Sequence, residues 1–213
     1  MSRLGGLLKR VVAAASPHRV MVHGDPHGKR VALTFDDGPH PANTPSILDA
    51  LDAAGARATF FMQGSSAKQH PELVRDVHAR GHLVANHAFS HRPPEQLGTH
   101  AYVREVLDTH ALLCDLTGAP LPRLFRPPYG TITPATLIRL LRDDFRFIYW
   151  SRDSRDSWLT EAPALLGSFA HTPASPGDIV LFHDDYAQTA TALPQLLASL
   201  RTRGLSAVTI EEL

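Results

Sequence analysis

The chain has 213 residues, 43% of them hydrophobic, which suits one large domain with a sizeable core. Its 21 Lys and Arg are balanced by 21 Asp and Glu, so net charge draws it toward neither nucleic acid nor an anionic membrane. A single cysteine, Cys114, excludes an intramolecular disulfide, whereas 13 histidines direct attention to metal or acid–base chemistry.

Residues 1–29 read as an N-terminal lead-in to one domain over 30–213. Lys9 and Arg10 split the apolar part of the lead-in into pieces too short for the core of a signal peptide. No apolar run in the chain is long enough to span a bilayer. The expectation is a cytoplasmic protein whose lead-in forms a short amphipathic helix. Its Leu4, Leu7, Leu8, Val11 and Val12 would pack on the domain, with peripheral membrane contact as the alternative.

Beyond residue 30, apolar runs alternate with amphipathic segments. Strands are predicted over 30–35, 58–62, 82–85, 123–125, 145–150, 178–182 and 207–210. Helices are predicted over 44–54, 71–80, 101–117, 134–142, 162–171 and 191–203, with Cys114 a small residue buried in the third. Gly55, Gly81, Gly118 and Gly204 each follow a helix, where a left-handed residue ends it best. Strict alternation implies a parallel sheet with crossover helices. About seven such units in one domain imply an α/β fold: a distorted (β/α) barrel, closed or nearly closed.

In such a barrel the reactive groups belong at the C-terminal ends of the strands. The ends here read FDDGP, NHAFSH, FRPPYG, WSRDSRDSW and FHDD, and that many polar ends point to one shared site. Any one alone has a plainer reading, since Asp beside Gly-Pro is ordinary turn chemistry. His87 and His91 are spaced to put two imidazoles on one side of a turn. With the carboxylate of Asp37 they form a set of three ligands that leaves a coordination position open for water. Zinc suits this set best, with cobalt, nickel or iron as alternatives, and a purely structural zinc site is disfavoured without a fourth ligand.

Successive side chains on an extended strand diverge, so of Asp36 and Asp37 one can bind a metal while the other takes a proton. Arg126, in a loop stiffened by prolines, offers a guanidinium to keep that base ionised. His183 reads as a general acid kept protonated by Asp156, with a histidine satisfied by a loop carbonyl as the bland alternative. Tyr129 and Gly130 offer a backbone N–H to a developing oxyanion.

With these residues assembled, the chain resembles the NodB-type polysaccharide deacetylases, carbohydrate esterase family four, over residues 30–210. Thr34-Phe35-Asp36-Asp37-Gly38 resembles the family's first motif, in which the first Asp is the base and the second a metal ligand. His87-Ala88-Phe89-Ser90-His91 resembles the second, which completes the metal site, and Arg126-Pro127-Pro128-Tyr129-Gly130 the third. The fifth corresponds to Ile179 through Asp184, and ATFFMQG from Ala58 is a lesser echo.

Two departures stand out. Ala88 replaces the usual Ser or Thr after the first metal histidine, which removes a hydrogen bond. The fourth motif, normally Asp-x-x-Asp-Trp, reads Asp153-Ser154-Arg155-Asp156-Ser157-Trp158, with the tryptophan displaced by one position. Asp156 rather than Asp153 is taken as the partner of His183.

The resemblance implies a metal-dependent amidase that removes acetyl groups from an N-acetylhexosamine-containing glycan and releases acetate. An O-acetyl esterase on a polysaccharide, a weakly active sugar-binding relative and a structural barrel remain alternatives. Peptidoglycan, chitooligosaccharide, an exopolysaccharide and a lipid-linked precursor all present the required group, and the expected compartment favours a biosynthetic intermediate.

Overall fold

The computed structural model describes residues 18–213. The amphipathic helix expected of the lead-in, with Leu4, Leu7, Leu8, Val11 and Val12, lies outside the described residues. The central element is β2 (Arg30–Asp36), buried along its length after Arg30. It pairs in parallel with β3 (Thr59–Met62) and β8 (Ile179–His183), and β9 (Ser206–Val208) pairs with its first half. Beyond β3 come β4 (Leu83–Asn86), β5 (Leu124–Phe125), β6 (Arg146–Ile148) and β1 (Val20–Met21), while β7 (Arg152–Asp153) lies beyond β8. All the pairings are parallel, as crossover connections require.

The connectivity shows how far this sheet curls. Strands β6 and β7 lie toward opposite ends of the sheet order, yet only Tyr149, Trp150 and Ser151 separate them. Four residue steps reach at most about 14 Å, so the two ends of the sheet must face one another. Tyr149 N–H donates to Met21 O, and Ser151 N–H donates to Ile179 O. One continuous segment thus leaves one edge and joins the other, giving a barrel closed by chain rather than by a full ladder.

The expected strand over 145–150 is therefore shortened to β6, β7 forms beyond its predicted end, and Val20–Met21, within the segment read as lead-in, supplies an edge strand. The helices α1 (Asn43–Ala53), α3 (Pro71–Ala79), α5 (Thr99–Thr117), α6 (Pro134–Arg142), α7 (Ala162–His171) and α8 (Ala187–Thr202) wrap the sheet. Two short helices, α2 (Gly64–Gln69) and α4 (Pro94–Leu97), were not expected, and α8 begins a turn before the predicted 191. No helix of the described residues is long and apolar enough to cross a membrane.

Alternation along the strands divides the core. Val31, Leu33, Phe35, Phe60, Val84, Val180 and Phe182 face outward into the helical layer. Ala32, Phe61, Ala85, Leu124, Ile148 and Ile179 form a separate cluster inside the barrel. Counting in twos from that inner set reaches Asp36 on β2, His87 just past β4, Arg126 just past β5 and His183 on β8. Sequence parity therefore delivers these four residues to the same end of the same interior.

Candidate functional site

Asp36 and His183 are direct neighbours across the β2–β8 pairing, and both lie where the apolar interior stops. Arg126 is fully buried among them. Its Nη1 donates to Asp36 Oδ1 at 2.7 Å and to Thr34 Oγ1 at 2.8 Å. Its Nε and Nη2 donate to the carbonyls of Ile148 and Tyr149, and its guanidinium lies 4.1 Å from the Phe61 ring centroid. A lysine could not satisfy this set of acceptors from one nitrogen. Burial depresses the guanidinium's basicity while the Asp36 carboxylate opposes that loss. The 2.7 Å ion pair with Asp36 compensates the buried guanidinium.

Asp37 occupies the left-handed region at φ 77°. Its Oδ1 lies 3.1 Å from His91 Nε2 and 3.5 Å from His87 Nε2, and accepts the Gln63 carboxamide N–H at 2.8 Å. Burial would raise the Asp37 carboxyl, but His87, His91 and His183 together hold it below the usual carboxylate range. His87 is buried, and its Nδ1 sits 2.7 Å from the Arg126 carbonyl oxygen. A carbonyl only accepts, so Nδ1 carries the proton and Nε2 presents a lone pair. His91 Nδ1 lies 3.2 Å from the Tyr129 hydroxyl, and burial lowers its pKa against the pull of Asp37, favouring the neutral imidazole that a metal needs.

Asp37, His87 and His91 each offer one ligand atom, all within 4.8 Å of one another. An ion bound tetrahedrally at about 2.0–2.1 Å separates its ligand atoms by about 3.3 Å. The two carboxylate–imidazole spacings bracket that value, so the donor set fits a divalent cation.

Opposite this triple, His183 Nδ1 lies 2.8 Å from Asp156 Oδ1, while Asp156 Oδ2 accepts the His183 N–H and the Thr189 hydroxyl, each at 2.7 Å. Burial disfavours the imidazolium, but the Asp156 hydrogen bond and charge prevail and push His183 up to about 9. Asp153 is exposed and caps a turn through Arg155 N–H, so Asp156 is the aspartate beside His183.

Tyr129 is left-handed at φ 57° and more than half exposed. The Gly130 N–H is already donated to Pro127 O, which removes it from the expected oxyanion pair and leaves the Tyr129 amide. Ala88 is also left-handed, at φ 60°. Its N–H donates to Asn86 Oδ1, whose carboxamide is anchored to Val106 O on α5, so Asn86 stabilises the turn that lacks a Ser or Thr hydroxyl. Trp158 is 83% exposed and stands at the rim. The resulting cleft of about 330 Å³ is lined by both aspartates, His87, His91, His183 and Tyr129.

Sequence reasoning missed Gln63, Thr34, Asn86 and Asp184. ATFFMQG carried Gln63, but nothing in its spacing marked that side chain. Asp184 is buried and receives the Thr44 hydroxyl at 2.6 Å, and burial lifts its carboxyl to about 7.

Comparison with known proteins places this geometry among relatives. The family model described as polysaccharide deacetylase matches residues 23–148. The chain is 36% identical over 185 residues to a peptidoglycan-N-acetylglucosamine deacetylase, PgdA, of Listeria monocytogenes, covering 87% of this chain and 39% of that protein. It spans well under half the length of that relative. It is also 36% identical over 197 residues to a chitooligosaccharide deacetylase of Bradyrhizobium sp., covering 85% of this chain and 90% of the relative. The crystal structure of the Bc1960 peptidoglycan N-acetylglucosamine deacetylase superposes with a TM-score of 0.87 at 29% identity, covering 94% of this chain and 95% of the other.

Proposed function

The chain belongs to the polysaccharide deacetylase family, and from that premise we propose that it hydrolyses the acetamide of an N-acetylated amino sugar within a glycan. The observation that carries this reading is the joint placement of three groups in one cleft. These are the Asp37–His87–His91 triple, the Asp36–Arg126 pair and the Asp156–His183 pair. A sugar-binding module has no use for a buried base beside a separately maintained acid.

The roles follow from the contacts. Asp37, His87 and His91 would hold a divalent cation, with zinc the best match to two imidazoles and one carboxylate. When bound, the cation supplies Lewis acidity that polarises a carbonyl and acidifies water. Asp36, kept oriented by Arg126, accepts the proton of the attacking water as its oxygen adds to the acetyl carbon. The Tyr129 amide donates to the oxyanion that develops. His183 delivers its proton to the nitrogen as the C–N bond breaks, so acetate and a free amine leave. Exposed Tyr129 and Trp158 at the rim offer ring faces to the sugar.

The relatives include enzymes named for peptidoglycan and for chitooligosaccharide, so acetate release should be measured on both glycans and on an O-acetylated xylan. Asp36→Asn is expected to abolish turnover and keep the metal, whereas Asp37→Asn loses both. Equal metal content in the two variants would overturn the division of labour. Acetate from the xylan alone would make the protein an esterase.

A further inference from the structure

Gly38 follows the two aspartates, and the space above its Cα is already taken. A Cβ at Gly38 would lie 2.0 Å from Asp184 Oδ2 and 2.2 Å from Asp184 Oδ1. The glycine is required here by close approach, because the carboxyl lies flat against it. Asp184 itself is 1% exposed. Its Oδ2 accepts the Thr44 hydroxyl at 2.6 Å, and that hydroxyl in turn accepts the His40 N–H at 2.7 Å. Its backbone N–H donates to Asp36 O at 3.2 Å. Among the described residues its Oδ1 has no hydrogen-bond partner. A carboxyl buried with one oxygen unsatisfied is costly, and no step of the proton transfers uses it.

The other side of the same turn is held by the start of α2. Gln63 N–H donates to Gly38 O at 3.0 Å, and the Gln63 side chain donates to Asp37 Oδ1 at 2.8 Å. The Ser66 hydroxyl reaches Asp37 O at 3.4 Å. Between these two walls Asp37 keeps its left-handed backbone at φ 77°, a conformation that a non-glycine residue retains only where its surroundings over-determine it.

We propose that Asp184 is a positioning residue for the metal centre. With Gln63 opposite, it brackets residues 36–38 so that the Asp37 carboxylate stays within reach of both imidazoles. The inference rests on the reading of Asp37, His87 and His91 as metal ligands and adds to it a residue that touches neither metal nor substrate. The bracket acts by shape and by the Thr44 hydrogen bond rather than by charge, so a neutral isostere should serve.

The test is cobalt affinity of the metal-free protein, read from the visible absorption of bound Co²⁺ against a competing chelator, with circular dichroism reporting the fold. Asp184→Ala is expected to weaken binding by about 10- to 100-fold, the usual effect of losing a group that orients a ligand. Asp184→Asn, which keeps the volume and an acceptor for Thr44, is expected to bind close to wild type. Gly38→Ala should weaken binding because its methyl displaces the carboxyl, and adding Asp184→Ala to it should recover part of the loss. A merely structural role would lower the unfolding midpoint without this pattern in affinity.

Wild-type affinity in Asp184→Ala would overturn the proposal, as would an Asn variant as weak as the Ala variant. Should Asp184→Ala not fold, Thr44→Val decides, since it removes the hydrogen bond and leaves the carboxyl in place. It should weaken cobalt binding, and unchanged affinity there overturns the bracket. Failure of the underlying site reads differently: wild type would then bind no cobalt, or His87→Ala would bind it as well as wild type.

Discussion

His183 shows how a single residue acquires a task from its neighbours. Burial alone would strip its proton, and the Asp156 carboxylate at 2.8 Å reverses that, so the ring stays charged to about pH 9. Its folded pKa stands above the unfolded value of 6.5, so this stabilisation is fully present below about 6.5 and disappears as pH rises through about 9. In Asp156→Asn the charge is gone while a hydrogen bond remains possible. The His183 pKa is then expected to fall, moving the alkaline limb of kcat/KM to lower pH on an N-acetylated sugar. An alkaline limb that stays put in that variant would take His183 out of the acid role. The effect should be smaller on an aryl acetate, whose leaving group needs no proton.

Elements were legible in proportion to their length and period. Helix α6 and helix α7 fall at 134–142 and 162–171, as the apolar spacing predicts, and Gly118 is left-handed at the end of α5. Strands β1 and β7, of two residues each, carry no period that could announce them. Proline-started α4 looked like loop for the same reason. Strand parity accounts for Asp36, His87, Arg126 and His183 sharing one end of the interior, whereas Asp37, His91 and Asp156 were legible only as polar residues at strand ends with a suggestive spacing. Their supports were not, because Asp184 and Gln63 earn their places through contacts between β2, β3 and β8 that exist only in three dimensions.

The parity argument carries a prediction for β8. Phe182 faces outward, stacked on Phe35 at 5.7 Å and on Phe169 at 5.6 Å, while His183 beside it faces the cleft. Phe182→Ala should cost about 3–5 kcal/mol, seen as a lower urea midpoint, because the rings around it cannot close the cavity. Folded enzyme below the transition should keep most of its kcat. A stability loss below about 1 kcal/mol would mean that the helical layer relaxes more freely than dense packing allows.

For the whole molecule, the decisive feature is that the three candidate metal ligands come from separate parts of the barrel. Asp37 follows β2, whereas His87 and His91 follow β4, two positions away across β3. An ion held by all three ties these segments together in the folded state, and the unfolded chain has no preformed counterpart. At a free concentration 100 times its dissociation constant, a ligand binding only the folded form stabilises it by about 2.7 kcal/mol. For a chain of this size each kcal/mol raises Tm by about 2–4 °C, so zinc should raise it by about 5–11 °C. His87→Ala removes a buried ligand, and its Tm should no longer respond to zinc. Asp36→Asn should leave the zinc-induced rise largely intact, because Asp36 is paired with Arg126 while Asp37 is the carboxylate nearest both imidazoles. A thermal shift series on the three proteins, with and without zinc, separates the cases. An equal rise in wild type and His87→Ala would place the stabilising ion elsewhere on the surface. A rise lost in Asp36→Asn would mean that the base is a metal ligand instead.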